Sequence, residues 1–284
     1  MSDRLLVVTA DDLGLTPGVN AAVADSCDRG IVTATSLLAV GQAFDEAANI
    51  LRDRPQLELG AHLALVGEDP PLLSAREIPS LVDARGAFPL SYRTVVARGL
   101  AGRLDPDDVR RELGAQLERV LDLRLPVTHL DTHQHTHLWP AVAMVVVELA
   151  RSAGIPAVRL TTSHARSVVG VGVRTLARPL RARVRSAGLA GTADYVGLDE
   201  AGSMDGARFG NALRAAAERG AATLEVNCHP GVAGEAALGR FQWGYRWGAE
   251  AAMLVDPSTR AMVHSHGYRL GGFADLPAPP VDQP

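Results

Sequence analysis

Several short apolar segments of this chain end in acids or histidines. Each segment is rich in Val, Leu or Ile and lacks polar alternation, which is typical of a strand buried in a parallel sheet. Helical segments separate these strands, with no internal repeat or linker between them, and this alternation predicts an α/β fold. The polar residues at the predicted strand ends are Asp11, Asp12, His62, His133 and His229.

Reactive groups gathered at the carboxyl ends of parallel strands are typical of (β/α) barrels related to the TIM barrel. An open doubly wound sheet also places its chemistry at that edge. No Gly-rich nucleotide loop follows the first predicted strand, residues 5–10, and its absence favours the barrel. We expect one barrel domain over residues 1–275 and a Pro-rich tail over residues 276–284.

Thr or Asp followed by Pro marks the start of several predicted helices. Thr16-Pro17 begins a first helix that ends near Gly30, and Asp105-Pro106 begins an amphipathic helix. Residues 69–90 are interrupted by Pro and Gly, which predicts an irregular segment that serves as a binding loop or lid.

The composition narrows the function classes. A formal net charge of −4 disfavours a nucleic-acid-binding protein, and 47% hydrophobic residues allow a large core. Two cysteines form no disulfide framework, and neither a signal peptide nor a transmembrane segment is evident, so we expect a cytoplasmic protein without an integral membrane segment. The Arg-rich stretch 166–185 is interpreted as a solvated helix face, with an anionic ligand or a lipid surface as the alternative.

Four histidines and one acid alternate along a single segment, at positions 129, 131, 133, 135 and 137. In an extended segment His129, Asp131, His133, His135 and His137 would all face one side. If a helix follows the strand, the second and fourth histidines become i, i+4 neighbours instead. Imidazole is the commonest metal ligand at neutral pH, so the cluster predicts metal binding or catalysis.

A carboxylate combined with imidazoles is typical of a catalytic metal site that keeps a position open for water. Mixed nitrogen and oxygen ligands suit Zn, Mn, Co or Fe(II), and Mg if carboxylates dominate. Asp11 and Asp12 are adjacent, so we expect one to act as a base and the other as a ligand. Cys228 and His229 would point to opposite faces of a strand, which disfavours a thiol–imidazole pair.

Six motifs resemble the YdjC-like carbohydrate deacetylases of the ChbG/HpnK type, and together they span nearly the whole chain. They are residues 9–14 (TADDLG), 30–35 (GIVTAT), 60–63 (GAHL), 129–137 (HLDTHQHTH), 228–231 (CHPG) and 267–270 (GYRL).

The resemblance implies a distorted (β/α) barrel, one divalent metal ion such as Mg or Zn, a homodimer, and hydrolysis of an N-acetyl group from an amino sugar. It implies that Asp12, His62 and His133 hold the metal. Asp11 would be the base, and His229 the acid or the group that stabilises the oxyanion. Weaker assignments as neighbours of the ligands or as substrate contacts are Asp131, His135, His137, Arg159 (which would orient the base) and Trp139.

Two departures from the family pattern concern the sugar subsites more than the ligands. Leu13 replaces the usual Phe after the two acids, and Ala61 and Val66 weaken the pattern around His62. Aromatic residues make up only 4% of the chain. Few stacking platforms are therefore available, the candidates being Trp139, Trp243, Tyr245 and Trp247. Alternatives to the deacetylase are a non-catalytic metal-dependent sugar-binding module and a metal-dependent O-acyl or phosphate esterase. Within the leading hypothesis, the substrate is a chito-oligosaccharide, a glycolipid or a secondary-metabolite amino sugar.

Overall fold

The structure is a computed structural model that describes residues 4–278. Strands and helices alternate over this range, as the sequence predicts. The strands are β1 (Arg4–Leu13), β2 (Ala34–Leu38), β3 (Glu58–Leu63), β4 (Val127–Thr132), β5 (Ala157–Val158), β6 (Asp194–Val196), β7 (Thr223–Cys228) and β8 (Tyr268–Leu270). The helices are α1 (Pro17–Asp28), α2 (Phe44–Arg52), α3 (Tyr92–Leu100), α4 (Pro106–Leu121), α5 (Pro140–Ser152), α6 (Val168–Ser186), α7 (Gly206–Glu218), α8 (Trp247–Val255) and α9 (Pro257–Ser265).

All the strands belong to one parallel sheet with the order β5-β4-β3-β2-β1-β7-β6, and β8 pairs with the first residues of β1. Ala157 of β5, at one edge of the sheet, forms an isolated parallel bridge with Ala190, which lies four residues before β6 at the other edge. Val158 donates its N–H to the Ala190 carbonyl at 3.0 Å. A parallel sheet that forms a half-barrel with helices around it, and is joined across its open side only by this bridge, is a distorted barrel, which confirms the predicted fold class.

The first strand is longer than predicted and includes both acids. The pairing of β1 with β2 shifts register between Ala10 and Leu13, as at a β-bulge. Within this irregularity Asp12 has a φ of 64°, in the left-handed region that Asp tolerates better than most residues. The bulge lets two consecutive side chains, Asp11 and Asp12, both reach the interior of the barrel end.

Side chains cap the predicted helix starts. At the start of α1, the Thr16 hydroxyl accepts a hydrogen bond from the backbone N–H of Val19 at 3.2 Å. At the start of α4, the Asp105 carboxylate accepts one from the backbone N–H of Asp107. Two short helices, α3 and α8, were not predicted. Residues 64–91 contain no helix or strand, as expected for the irregular segment, and its role as a lid stays a prediction.

The Arg-rich stretch forms most of α6. Arg174 donates to the carbonyls of Ser163 and Ala165, and Arg181 donates to those of Thr192 and Ala193. Two of the arginines of α6 therefore hold neighbouring loops in place through hydrogen bonds. Within residues 4–278, no helix is long and apolar enough to cross a membrane. The single-domain assignment stays a prediction, and the tail from residue 279 onward lies outside the described residues.

Candidate metal centre and cleft

Three side chains from different strand ends converge on one buried point. Asp12 comes from β1, His62 from β3, and His133 from the turn that follows β4. Asp12 Oδ1 lies 3.1 Å from His133 Nδ1 and 3.4 Å from His62 Nε2, and the two nitrogens are 3.3 Å apart. The three predicted ligands are therefore brought together, with all three side chains buried.

The geometry of this triad fits a divalent cation. Metal–ligand bonds of about 2.1 Å separate ligand atoms by about 3.0 Å in octahedral and about 3.4 Å in tetrahedral geometry, which brackets the observed spacing. Both carboxylate oxygens of Asp12 are buried and have no hydrogen-bond partner among the described residues. A buried carboxylate without partners is costly, and a cation between it and the two imidazoles would satisfy it. Burial opposes ionisation, but His133 and His62 hold the pKa of Asp12 well below its usual value.

Asp131 orients one of the imidazoles. Its Oδ1 accepts a hydrogen bond from His62 Nδ1 at 2.7 Å, which leaves His62 Nε2 free for an ion. Ser36 donates to the other oxygen at 2.7 Å. Burial lowers the pKa of His62, but Asp131 and Asp11 outweigh burial and raise it well above its usual value. A proton therefore competes with a cation for Nε2.

Arg159 holds Asp11 in place. The guanidinium is fully buried and donates to both oxygens of Asp11, at 2.7 and 2.8 Å. It also lies 2.6 Å from Asp131 and 2.7 Å from Glu225. The predicted contact between Arg159 and Asp11 is present, and it is a bidentate pair.

Asp11, His62 and Asp131 form a second group of potential ligands within reach of one another. The Arg159 guanidinium already bonds both carboxylates of this group. A cation there would lie beside a fixed positive charge, so the triad built on Asp12 is the better site.

His229 follows β7 and faces the same cleft as Asp11. Its backbone N–H donates to Glu250 at 2.6 Å, and its Nδ1 lies 4.0 Å from the same carboxylate oxygen. Glu250 also accepts from the N–H of Met204 at 3.0 Å and thereby joins two loops at the cleft. Glu250 was not predicted from the sequence because α8, the helix that carries it, was not predicted.

The four clustered histidines serve different purposes, and neither predicted geometry of the cluster is correct. The strand ends at Thr132, and Gln134 and His135 adopt left-handed backbone angles with φ of 50° and 53°, so the segment is neither extended nor α-helical. His137 consequently turns away from His133. Its Nδ1 lies 2.7 Å from the Thr132 hydroxyl, and burial lowers its pKa to about 4.

The remaining two histidines are also neutral at pH 7. His135 lines the cleft, with its nitrogens 3.3 Å from the hydroxyls of Thr161 and Tyr195, and burial and Arg159 lower its pKa. His129 stacks on Phe273 at 3.8 Å, and burial lowers its pKa to about 3. A Cβ at Gly60 would lie 2.2 Å from the His129 ring, so that glycine makes room for a structural histidine.

A cavity of about 440 Å³ opens above the triad. Its floor includes Asp11, His62, His133 and His229, and its walls include side chains from α3 and α6. Three of the four proposed stacking platforms, Trp139, Trp243 and Tyr245, line it. Trp247 is buried behind the other aromatic rings and does not line the cavity.

A parallel α/β barrel with a carboxylate–imidazole site at its strand ends defines the class of this protein. A family model described as YdjC-like protein matches residues 5–265, and the chain belongs to that family. The motif resemblance found in the sequence is thereby confirmed.

Full-length relatives agree with this membership, and a solved structure shares the fold. The chain is 32% identical over 276 residues to a chitooligosaccharide deacetylase of Citrobacter koseri, covering 96% of this chain and 100% of the relative. It is 33% identical over 275 residues to a chitooligosaccharide deacetylase of Klebsiella pneumoniae, with the same coverage. A crystal structure from Enterococcus faecalis, of a protein described as a candidate for cellobiose-phosphate cleavage, matches with a TM-score of 0.80, 22% identity, and coverage of 96% of this chain and 98% of that one. The last comparison shows the fold alone.

Proposed function

We propose that the protein is a metal-dependent carbohydrate deacetylase that removes the N-acetyl group from a GlcNAc-type amino sugar and releases acetate. The observation that carries this proposal is the buried carboxylate of Asp12, which accepts no hydrogen bond from the described residues and faces two imidazole nitrogens, beside an Asp11 fixed by Arg159. The relatives named chitooligosaccharide deacetylases, which align over their entire length, support the same class of reaction.

Asp12, His62 and His133 would hold the ion, which could be Mg or Zn. A bound divalent ion lowers the pKa of water and polarises a carbonyl oxygen. Asp11 is the general base that accepts the proton of the attacking water, and Arg159 fixes the carboxylate for that task. His229, on the same cavity floor, donates a proton to the leaving amine.

Other polar side chains have supporting roles in this proposal. Asp131 orients His62, while His135 and Trp139 contact the sugar from the cavity wall. His137 supports the turn after β4 through Thr132. The proposal includes a homodimer and a cytoplasmic location, both carried over from the sequence analysis.

Acetate release from N-acetylglucosamine oligomers tests the proposal. We expect release to stop with a chelator, to return when a divalent ion is restored, and to be absent in Asp12→Asn. Because a sugar-binding module needs neither a base nor an acid, the presence of Asp11 and His229 favours an enzyme. No acetate from any amino sugar at saturating metal would contradict the proposal, and turnover of O-acetyl or phosphate esters instead would replace it with an esterase.

A further inference from the structure

Glu225 is a buried acid that has no part in the chemistry proposed above. It lies in β7 and pairs with Val7 of the neighbouring strand β1. Its Oε1 accepts a hydrogen bond from Arg159 Nε at 2.7 Å and another from the Thr9 hydroxyl at 3.0 Å. Glu225 is fully buried and does not line the large cavity. It can therefore influence the reaction only through the groups that it contacts.

These contacts close a ring of hydrogen bonds that begins and ends on β1. Thr9 donates to Glu225, and Glu225 accepts from Arg159. Arg159 in turn donates to both oxygens of Asp11, which lies two residues after Thr9 on the same strand. Glu225 thus connects the strand that carries the proposed base to the guanidinium that fixes the base.

Two acids share one terminal nitrogen of Arg159. Its Nη1 lies 2.7 Å from Asp11 Oδ2 and 2.6 Å from Asp131 Oδ2. Glu225 bonds a different edge of the planar guanidinium, at Nε. Because the three nitrogens lie in one plane, this contact limits how far the group can turn or shift toward Asp131. Without Glu225, the buried N–H of Nε would also lose its acceptor.

The contact between Glu225 and Arg159 does not require a charged acid. Burial and the charges of Asp131 and Asp11 raise the pKa of Glu225 to about 7, although Arg159 lowers it. Both hydrogen bonds go to Oε1, and Oε2 has no partner among residues 4–278. A proton on Oε2 would therefore leave the accepting oxygen unchanged, and the amide of a glutamine can take the place of the neutral acid.

We infer that Glu225 is a positioning residue for the general base: it holds the guanidinium of Arg159 in the orientation that presents Asp11 to the cavity. The inference rests on the proposed function, in which Asp11 accepts the proton of the attacking water. Glu225 contacts neither the cavity nor a proposed metal ligand, so its loss should affect the proton-transfer step and not the binding of substrate or metal.

Glu225→Leu and Glu225→Gln together test this inference. Glu225→Leu should lower kcat by about 10–100-fold, a part of what a general base contributes, with KM and metal affinity unchanged. Glu225→Gln should keep kcat within about threefold of the wild type, because its amide oxygen still accepts from Nε, although a neutral acceptor bonds less strongly than a charged one. Acetate release from N-acetylglucosamine oligomers and calorimetric metal titration measure these effects.

Glu112→Leu is the matched control for the loss of a buried acid. Glu112 is also fully buried and accepts from the backbone N–H groups of Leu72 and Leu73, at 2.9 and 3.0 Å, outside the site. It should lower the thermal unfolding temperature without changing the kcat of the folded protein. Thr9→Val approaches Glu225 from its other partner with little change of volume, and it should lower kcat by about threefold to tenfold, the value of one hydrogen bond.

Nuclear magnetic resonance gives a readout apart from turnover. The Nε–H signal of Arg159, assigned by its disappearance in Arg159→Lys, should be protected from solvent exchange in the wild type and in Glu225→Gln. In Glu225→Leu this signal should shift and exchange faster, because Nε has lost its acceptor.

A folded Glu225→Leu with the kcat of the wild type would overturn the inference and leave the proposed function intact. So would an equal loss of kcat in the Leu and Gln variants, or a loss of kcat that follows a loss of metal. If Glu225→Leu does not fold, an unchanged kcat in Thr9→Val would have the same meaning. Absence of acetate release from the wild type would instead count against the proposed function itself.

Discussion

The two consecutive carboxylates at the end of β1 lie in opposite surroundings. Asp11 accepts two hydrogen bonds from a buried guanidinium, whereas neither oxygen of Asp12 accepts a hydrogen bond from residues 4–278, and its Oδ1 lies against the nitrogens of His62 and His133. The two side chains are equally buried, so exposure does not distinguish them. The protein itself satisfies the first carboxylate and leaves the second to an ion, which is the division expected between a base and a ligand.

The Arg159 side of the site contains more acids than its single positive charge can balance. Asp11, Asp131 and Glu225 all lie within 2.8 Å of the guanidinium. Burial raises the pKa of Glu225 to about 7, so this carboxyl group is partly protonated at neutral pH. One arginine and a divalent ion would together balance the ionised Asp11, Asp12 and Asp131, which makes the two halves of the site electrostatically dependent on each other.

The largest expected difference is between Asp12→Asn and Asp11→Asn. Asp12→Asn should abolish both deacetylation and high-affinity metal binding, because an amide is a poor ligand beside two imidazoles. Asp11→Asn should lower kcat by about 10²–10⁴-fold, the usual contribution of a general base, and retain the metal. Calorimetric titration with Zn²⁺ or Mg²⁺, combined with an acetate assay, measures both effects.

The roles assigned to Asp11 and Asp12 would be contradicted if the two variants exchanged phenotypes. Loss of metal in Asp11→Asn with retention in Asp12→Asn would move the ion to the group formed by Asp11, His62 and Asp131. Equal loss of metal in both variants would mean that the two carboxylates bridge one ion.

Arg159→Met should produce the next largest effect, on stability. Removing one partner of a buried ion pair costs about 3–5 kcal/mol because the remaining charges stay buried without compensation. Arg110→Met is the matched control: Arg110 pairs with Asp107 and Glu148 on the surface, where solvent screens the charges, so this variant should lose far less stability. Urea unfolding of both variants measures the difference, and equal losses would contradict the assigned role of the buried guanidinium.

The sequence predicted the placement of the candidate residues where strand ends supply them, while their roles stay predictions. His62, His133, His229 and the two acids follow buried segments, and parallel strands place such ends at one edge. The helix starts were also predictable, because caps such as Thr16 act through local hydrogen bonds.

The missed features depend on contacts that are distant along the chain. The bulge at Asp12 arises from pairing with β2, and the turn at Gln134 carries no Gly to signal it. The Gln134 side chain instead bonds the carbonyl of Leu90 and the N–H of Tyr92, over 40 residues away in sequence. Glu250 was missed because α8 lacks a capping side chain and is short.

Asp131→Asn should have a smaller effect than the changes above. The amide can still accept a hydrogen bond from His62, but it no longer offers the charge that Arg159 and the imidazole balance. Outer partners of metal ligands typically change metal affinity by about 10–100-fold, and we expect a weakening in that range. Metal titration measures it. An unchanged affinity would show that Asp131 serves the Arg159 side of the site alone.

We expect the smallest effect from a substitution of Asp194. This residue begins β6, at the end of the sheet opposite the candidate metal site, and therefore serves as a contrast to the acids of that site. Burial opposes its ionisation, but His164 and Arg219 lower its pKa to about 2. Because its pKa is lowered, the ionised Asp194 stabilises the fold at pH values above the usual pKa of an Asp. This stabilisation is lost as the pH falls toward 2. Asp194→Asn should therefore cost about 2 kcal/mol at pH 7, and less as the pH falls from about 4 to 2.

Urea unfolding of the wild type and Asp194→Asn between pH 2 and pH 7 measures this convergence. Asp25→Asn is the control, because its pair with Arg29 is exposed and should contribute less than about 1 kcal/mol. A metal titration of Asp194→Asn at pH 7 should match the wild type, since its carboxylate bonds His164, Arg219 and the backbone N–H of Tyr195, and none of these groups is a proposed ligand. Weakened metal binding in this variant would mean that a buried acid far from the triad also affects metal affinity. A loss of metal binding in Asp12→Asn would then no longer identify Asp12 as a ligand.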